Sequence, residues 1–522
     1  MWLFAELKQL HQNVIKQMGF NPYLLMSANL SNKRISRNVM ATVLQVLISG
    51  VVMFVLYRYL YDRLGVEQIG VWSLVLAATS ISRIGDLGLS AGVVRFVAQA
   101  LGRNDAQQAS HVVQTVALTL GLFMAALLGI GYPLFVFALD YFLPAHSVPI
   151  ALSILPYALI SLWIMMIVSV LSGGLDGCMR MDLRSLFMGI SHLIYLGLTI
   201  LLVPKYGLEG VALAQIIQSV VLLLLLWLAL KVQLRTLPLI PLHWKYSVLK
   251  EMIGYGVNFQ VITLMNMLFD PMIKALLSRF GGLEELGYYE MSNKLILQGR
   301  AMIIEASRVM VPVTATLQEH DAVKAKQLFI TTYSMTFYVA VLFYGLLGIS
   351  ITTISMLWLG HYQAIFIQFA LLLNLGWFAN TLIGPAYFAN LGSGKLRANM
   401  ISHIIMGLCS LLIGWGLGLN YGGIGVVIAT MVGLIVGSMF LLVSYIKQAG
   451  LHWLSFIIPK DMSKLLMLVF FAIFSSTYYG RDNQTSFIVV LGIAVLCCSS
   501  LLVLGWFNPV RRMFLNRGKQ RS

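Results

Sequence analysis

Apolar residues run along the chain in blocks of about 18–25, the length at which a helix crosses a hydrocarbon layer. Fourteen such stretches are legible: 39–60, 67–90, 111–136, 149–171, 185–203, 208–230, 252–277, 286–312, 328–351, 363–389, 397–419, 422–445, 464–479 and 485–507. Short polar connections separate them. A transmembrane barrel would instead alternate in runs of about ten residues. The pattern predicts an all-α polytopic membrane protein with about 14 transmembrane helices. The second and eighth stretches carry several charges each, so a hydropathy cut-off would lose them first.

Before the first stretch, Leu3, Leu7, Leu10, Val14 and Met18 recur at helical spacing, with Lys8, Lys16 and Gln17 elsewhere on the turn. Residues 1–38 are therefore expected to form a cytoplasmic tail with an interfacial amphipathic helix. The start lacks the small-residue cleavage site of a signal peptide.

Composition excludes most soluble classes. Of 522 residues, 59% are hydrophobic and only 10% charged, against about 25% charged in a soluble protein. The mean hydropathy is +0.85. The net charge of +16 would suggest nucleic acid in a soluble chain. In a membrane protein it first suggests cytoplasmic loops rich in Lys and Arg. With the N-terminus inside, 25 of the 35 cations fall on the cytoplasmic side, five outside and five within spans. That bias puts both termini in the cytoplasm and removes the need for nucleic acid. The four cysteines (Cys178, Cys409, Cys497, Cys498) have no disulfide or metal spacing.

The sequence repeats itself. Gly65-Val66-Glu67-Gln68-Ile69-Gly70 matches Gly282-Leu283-Glu284-Glu285-Leu286-Gly287, at an offset of 217. Asn104-Asp105-Ala106 matches His320-Asp321-Ala322, and Ile190-Ser191-His192 matches Ile401-Ser402-His403. Tyr206-Gly207 and Tyr421-Gly422 open a fourth match. Six spans separate the copies, so both insert in the same orientation, about an axis along the membrane normal. The expected organisation is a six-helix half over 39–230, a basic cytoplasmic linker over 231–251, and a second half over 252–446. An extra helix pair over 464–507 and a basic cytoplasmic tail over 508–522 complete it.

Ionisable groups in hydrocarbon cost a few kcal/mol each on insertion scales and face protein or water. Arg83 and Asp86 lie in the second span, Asp270 and Lys274 in the seventh, and Lys294, Arg300 and Glu305 in the eighth. Arg58 lies at the outer end of the first. Glu290 and Arg308, near the two ends of the eighth, are expected to reach the interfaces by snorkelling. The repeat superposes Arg83 on Arg300 and Arg58 on Lys274, so each cation pair is expected to converge from opposite walls. Asn266, Asp270 and Lys274 are four apart and share one helix face, as do Glu290, Lys294 and Gln298. Arg58, Arg83, Lys274, Lys294, Arg300 and Asn266 are thus candidates for substrate binding. Asp86, Asp270 and Glu305 are candidates for an H⁺ or Na⁺ coupling ion, with ordinary intrahelical ion pairing as the alternative. Pro271 after Asp270 frees a backbone carbonyl. His192 and His403 are expected to pack between helices. Trp72, Tyr132, Trp358 and Trp506 are expected to anchor span ends at the interface. Gly414-xxx-Gly418 and Gly433-xxx-Gly437 permit close helix contact. No phosphate loop, metal-ligand cluster or nucleophile constellation is present, so no catalytic role or organic cofactor is expected.

The stretches "LGVEQIGVWSLVLAATSISRIGDLGLSAGVVRFVAQ" and "GYGVNFQVITLMNMLFDPMIKALLSRFGGLEELGYYEMSNKL", with fourteen spans in two parallel halves, resemble the polysaccharide transporters of the multidrug/oligosaccharidyl-lipid/polysaccharide exporter superfamily, which include the O-antigen flippases. The resemblance implies a V-shaped, alternating-access fold and the flipping of undecaprenyl-pyrophosphate-linked oligosaccharide. Membrane lipids and the polymerase or assembly proteins of a surface polysaccharide are the implied partners. Arg clamps suit a pyrophosphate, and Asn258, Gln260, Asn266, Asn374 and Asn380 suit sugar hydroxyls. Two other readings stand beside it. A multidrug and toxin exporter would favour carboxylates and aromatics for organic cations. A non-transporting scaffold of a polymer-assembly complex would need no duplicated charges in the membrane.

Overall fold

The computed structural model describes residues 32–80, 86, 88–238, 240–241, 243–307, 322–393, 395–451, 463–481 and 487–507. For residues 253–267, 305 and 322–325, among others, the description stops at the backbone. The expected amphipathic helix before residue 32, Arg83, Arg308 and the basic C-terminal tail lie outside the described residues.

Every described element is a helix. In order they are α1 (Asn32–Leu64), α2 (Val66–Ser80), α3 (Leu89–Gly102), α4 (Ala106–Phe142), α5 (Val148–Gly177), α6 (Met181–Gln233) and α7 (Tyr246–Phe280). Then follow α8 (Gly282–Ser307), α9 (Ala322–Trp358), α10 (Ala364–Leu382), α11 (Gly384–Gly392), α12 (Arg397–Ala449), α13 (Ser463–Arg481) and α14 (Phe487–Phe507). The side on which α1 begins is called the near side below, and the side on which it ends the far side. Among the described residues, seven helices are long and apolar enough to cross a membrane. Neither α2 nor α8 is one of them: α8 carries several charges, as expected, whereas α2, with 15 residues, is too short.

Two helices are far too long for one crossing. At about 1.5 Å per residue, the 53 residues of α6 and of α12 would extend about 80 Å, against a hydrocarbon layer of about 30 Å. Each folds back at a glycine. Gly207 has φ 54° and ψ −133°, and Gly422 has φ 65° and ψ −147°. L-residues with a side chain rarely reach that region. The return arms then pack antiparallel: Ser402 Oγ donates to the Gly437 carbonyl at 2.8 Å, and Gln218 reaches Ser191 Oγ at 3.4 Å. A Cβ on Gly433 or Gly437 would meet the opposing backbone, which is the close contact those spacings foretold.

The second crossing departs from the expected single helix. It is built from α2 and α3, interrupted between Ser80 and Leu89. Gly88 there has φ 73°, a left-handed conformation that a continuous helix cannot contain. The crossing consequently runs on to Gly102, well past the apolar stretch ending near residue 90.

The two copies use the same packing scheme. In the first, α1 packs on the α6 hairpin; in the second, α7 packs on the α12 hairpin. One buried cluster fills the near end of the first copy (Val93, Val113, Leu171, Leu226, Leu230) and takes in Val248, Leu249 and Met252 from the start of α7. The other end of α7 lies on the second copy, with Leu276 against Gly414 and Phe280 against Gly418. So α7 begins in one half and ends in the other. The α13–α14 pair attaches to α9, where Ser476 Oγ donates to the Ile349 carbonyl and Tyr338 to that of Gly505.

Candidate functional site

On the far side the halves meet where α2 crosses α8. A Cβ on Gly70 would collide with the Leu283 carbonyl, and a Cβ on Gly287 would collide with the Val66 carbonyl. Gly70 and Gly287 are repeat partners, and so are Val66 and Leu283. The contact is therefore reciprocal about the repeat axis, backbone on backbone, and only glycine permits it.

One turn toward the near side, Glu290 lies almost on that axis. Its repeat partner is Ser73, and Ser73 Oγ donates to Glu290 Oε2 at 3.0 Å. Tyr57 of α1 donates to Oε1 at 3.1 Å. From the second half, Lys274 Nζ lies 2.8 Å from Glu290 and 2.8 Å from Asp270. Lys294 approaches Glu290 at 3.5 Å. Glu290 is 2% exposed and Lys274 4%, whereas 44% of the Asp270 side chain and 42% of the Lys294 side chain are exposed. The snorkelling expected of Glu290 is thus wrong. Four hydrogen-bonding and ionic partners hold it at the junction of the halves, and desolvated carboxylates persist when paired in this way.

Further toward the near side, Gln298 donates to the Val46 carbonyl of α1 at 2.9 Å. Arg300 turns into the second half. One terminal nitrogen donates to Asn380 Oδ1 at 2.7 Å, and the guanidinium lies 4.8 Å over the Trp377 ring. Trp377 is itself oriented by donating to Asn293 at 2.9 Å. Among the described residues Arg300 Nε has no hydrogen-bond partner, and no carboxylate lies within ion-pair distance. Asn380 continues the chain to Ser438 at 3.4 Å.

The other candidates are placed as follows. Arg58 pairs with Asp62 at 2.9 Å and donates to the Trp358 carbonyl. Arg58 and Lys274 therefore have separate partners, although the repeat superposes them. Asp86 accepts from the Ser90 backbone at 3.2 Å and from its hydroxyl at 2.7 Å, and so caps the start of α3. Arg83 and the side chains of Asn266 and Glu305 lie outside the described residues. Asn374 is buried and donates to the Tyr344 carbonyl. His192 hydrogen-bonds Ser49 at 2.8 Å, and His403 packs edge-on against Tyr387. Trp72 and Trp358 are 5% and 2% exposed and are not lipid anchors. Their span ends face the other half, and Trp358 stacks on Phe54 at 4.8 Å and donates to its carbonyl.

A family model described as "Polysaccharide biosynthesis protein" matches residues 64–367, from the end of α1 to α10. The chain belongs to this family. The search of curated proteins finds no sequence match. Solved structures show what fold this polysaccharide biosynthesis protein has. It is similar to the lipid II flippase MurJ in its inward closed conformation, with TM-score 0.67 and 14% identity over 89% of this chain and 97% of that one. It is also similar to an inward-facing multidrug resistance MATE transporter of the MOP superfamily, with TM-score 0.62 and 15% identity over 80% and 97%. A third is a MOP superfamily transporter from Pyrococcus furiosus, whose binding pocket is described as of reverse polarity, with TM-score 0.56 and 15% identity over 80% and 96%. The family member described here is therefore a multi-pass membrane protein with the fold of the MOP superfamily.

Proposed function

We propose that the protein is a flippase for lipid-linked saccharide. It moves an undecaprenyl-pyrophosphate-linked oligosaccharide, such as an O-antigen or related repeat, from the cytoplasmic to the outer leaflet of a bacterial inner membrane. The near side is then the cytoplasm, in keeping with the distribution of Lys and Arg. Arg300 is the observation that carries this reading. Asp270 and Glu290 balance Lys274 and Lys294, but the described partners of Arg300 are an amide and an aromatic ring. A membrane-embedded guanidinium with neutral partners and a free Nε–H suits a phosphate oxygen, which it would bind by a charge-assisted bond. The family's biosynthetic class and the MurJ fold agree with that cargo. Arg83, superposed on Arg300 by the repeat, would supply a second cation, and Lys294 a third. In this reading protonation or Na⁺ binding at Asp270, Asp86 or Glu305 resets the cycle, since a ligand shifts an equilibrium only through differential affinity.

A second reading is favoured by the exposed Asp270 carboxylate and the MATE-like fold: export of organic cations. One assay separates the two. Flipping of a fluorescent undecaprenyl-pyrophosphate oligosaccharide is measured in proteoliposomes, at equal insertion, for wild type and for Arg83→Ala/Arg300→Ala. The expected result is flipping by wild type and a loss of at least about tenfold in the double variant, the equivalent of ~1.4 kcal/mol. A wild type that flips nothing but exports organic cations sinks the proposal. Unchanged turnover and pH dependence in Asp270→Asn with Glu305→Gln would remove those two groups from ion coupling.

A further inference from the structure

The far-side crossing and the Glu290 network occupy consecutive turns of α8. The Gly70–Leu283 and Gly287–Val66 contacts join the halves backbone on backbone, beside the Arg58 and Trp358 hydrogen bonds, with no ionic bond from one half to the other at that level among the described residues. The nearest buried charged group bridging the halves is Glu290 of the second, which accepts hydrogen bonds from Tyr57 and Ser73 of the first and is paired with Lys274 and Lys294 of its own half. A carboxylate this buried is stable only while its charge is compensated. The compensation is uneven. Lys274 is buried and shared with Asp270, while Lys294 is partly exposed and sits at the longer distance of 3.5 Å.

We propose that Glu290 couples the far-side gate to anionic cargo: its carboxylate latches Tyr57 and Ser73 to α8, and a pyrophosphate head group releases the latch by drawing off Lys294. This rests on the anionic-cargo reading above. A dianion in front of Lys294 competes with Glu290 for its ammonium. Glu290 then retains one lysine already shared with Asp270, and its burial is no longer balanced. Opening the gate admits water to the carboxylate and relieves that imbalance. Anion binding on one face of the network thus lowers the stability of the closed crossing above it. The cargo's charge becomes the signal for opening, and an uncharged lipid cannot give it.

The test measures the gate and not transport. Spin labels are placed on Glu67→Cys and Glu284→Cys, both exposed at the far side and related by the repeat. The four native cysteines are replaced by serine, and the full chain is held in lipid nanodiscs. Electron–electron double resonance reports the distance with no addition, with inorganic pyrophosphate, with farnesyl pyrophosphate and with farnesol. Wild type is expected to give a short distance that lengthens with a pyrophosphate. A response to inorganic pyrophosphate assigns the signal to the anion alone, and a response confined to farnesyl pyrophosphate requires the lipid to present it. Glu290→Gln keeps an oxygen to accept from Tyr57 or Ser73 but leaves no charge to unbalance, so it should be short and respond to neither pyrophosphate. Lys294→Met leaves the carboxylate as a bound pyrophosphate would, so it should be long without any addition. A short distance in Lys294→Met overturns the proposal, as does a wild type that ignores both pyrophosphates or responds equally to farnesol. If Lys294→Met does not fold, Glu290→Gln decides: lengthening by pyrophosphate as large as in wild type overturns the latch. A gate that responds to pyrophosphate in a protein that flips no lipid-linked saccharide would sink the transport reading alone.

Discussion

The two halves share a scaffold but differ in what it carries. Turn for turn they agree: the Gly207 and Gly422 hairpins, and the Gly70 and Gly287 crossing. Chemically they diverge at the junction. Where the second half has Glu290, Asp270 and Lys294, the repeat puts Ser73, Phe54 and Ala77 in the first. The first half supplies hydroxyls and aromatic surface, and the second supplies the charge. Backbone geometry set by glycines is thus separable from side-chain chemistry, and a rocking mechanism needs only the former to be symmetric.

The comparison is broken most severely at Lys274. Lys274→Met leaves Asp270 and Glu290 facing one another with Lys294 as their remaining cation. The expected loss is ~3–5 kcal/mol of stability, read as a lower apparent melting temperature in detergent. Adding Glu290→Gln should restore a large part of it, because the buried charge is then gone. An unchanged melting temperature in Lys274→Met would mean that the network is solvated. Next come Gly70→Ala and Gly287→Ala. Each forces a Cβ into a carbonyl, at ~1–3 kcal/mol against the closed far side. Because they spoil one reciprocal contact, the two should be similar in size and their double variant less than additive. Label distances at the far side would show it, and a large inequality between the two would refute a symmetric crossing.

A smaller effect distinguishes charge from shape at Arg300. Arg300→Lys keeps the charge but loses the planar fork over Trp377, so flipping should fall less than in Arg300→Ala. Equal losses would assign the residue to packing. The smallest effect belongs to the first half: Arg58→Gln removes a partly exposed pair with Asp62 and should cost ~0–1 kcal/mol. A collapse of transport there would move the site toward α1.

Much of the scaffold was legible because it depends on local signals. Apolar stretches set the helices and their breaks near residues 203–208 and 419–422, and the repeat paired Gly70 with Gly287, but only the structure shows that the halves cross there. The Asp270–Lys274 pair followed from four-residue spacing. The role of Glu290 did not, since its partners come from α1, α2 and α7, separated from it in sequence by as many as 233 residues. Position near a span end suggested an interface with lipid, but that end abuts the other half. The same oversight explains Trp72 and Trp358. The interruption of the second crossing was hidden because its glycines read as ordinary small residues in an apolar run. Asp62, four residues after Arg58, was a local signal for that pair, but nothing local could have shown that Arg300 would settle against an amide and an indole.

The hydrogen bond between Ser73 and Glu290 has a bearing on ancestry. Two identical subunits related by this axis would be obliged to present the same side chain from both sides of it. A glutamate there would meet its own copy at hydrogen-bonding range, and two carboxylates cannot both stay ionised so close together. Joining the copies into one polypeptide lifts that obligation: one side can keep an acid while the other becomes its donor. The junction is a composition open to a fused gene and closed to a homodimer.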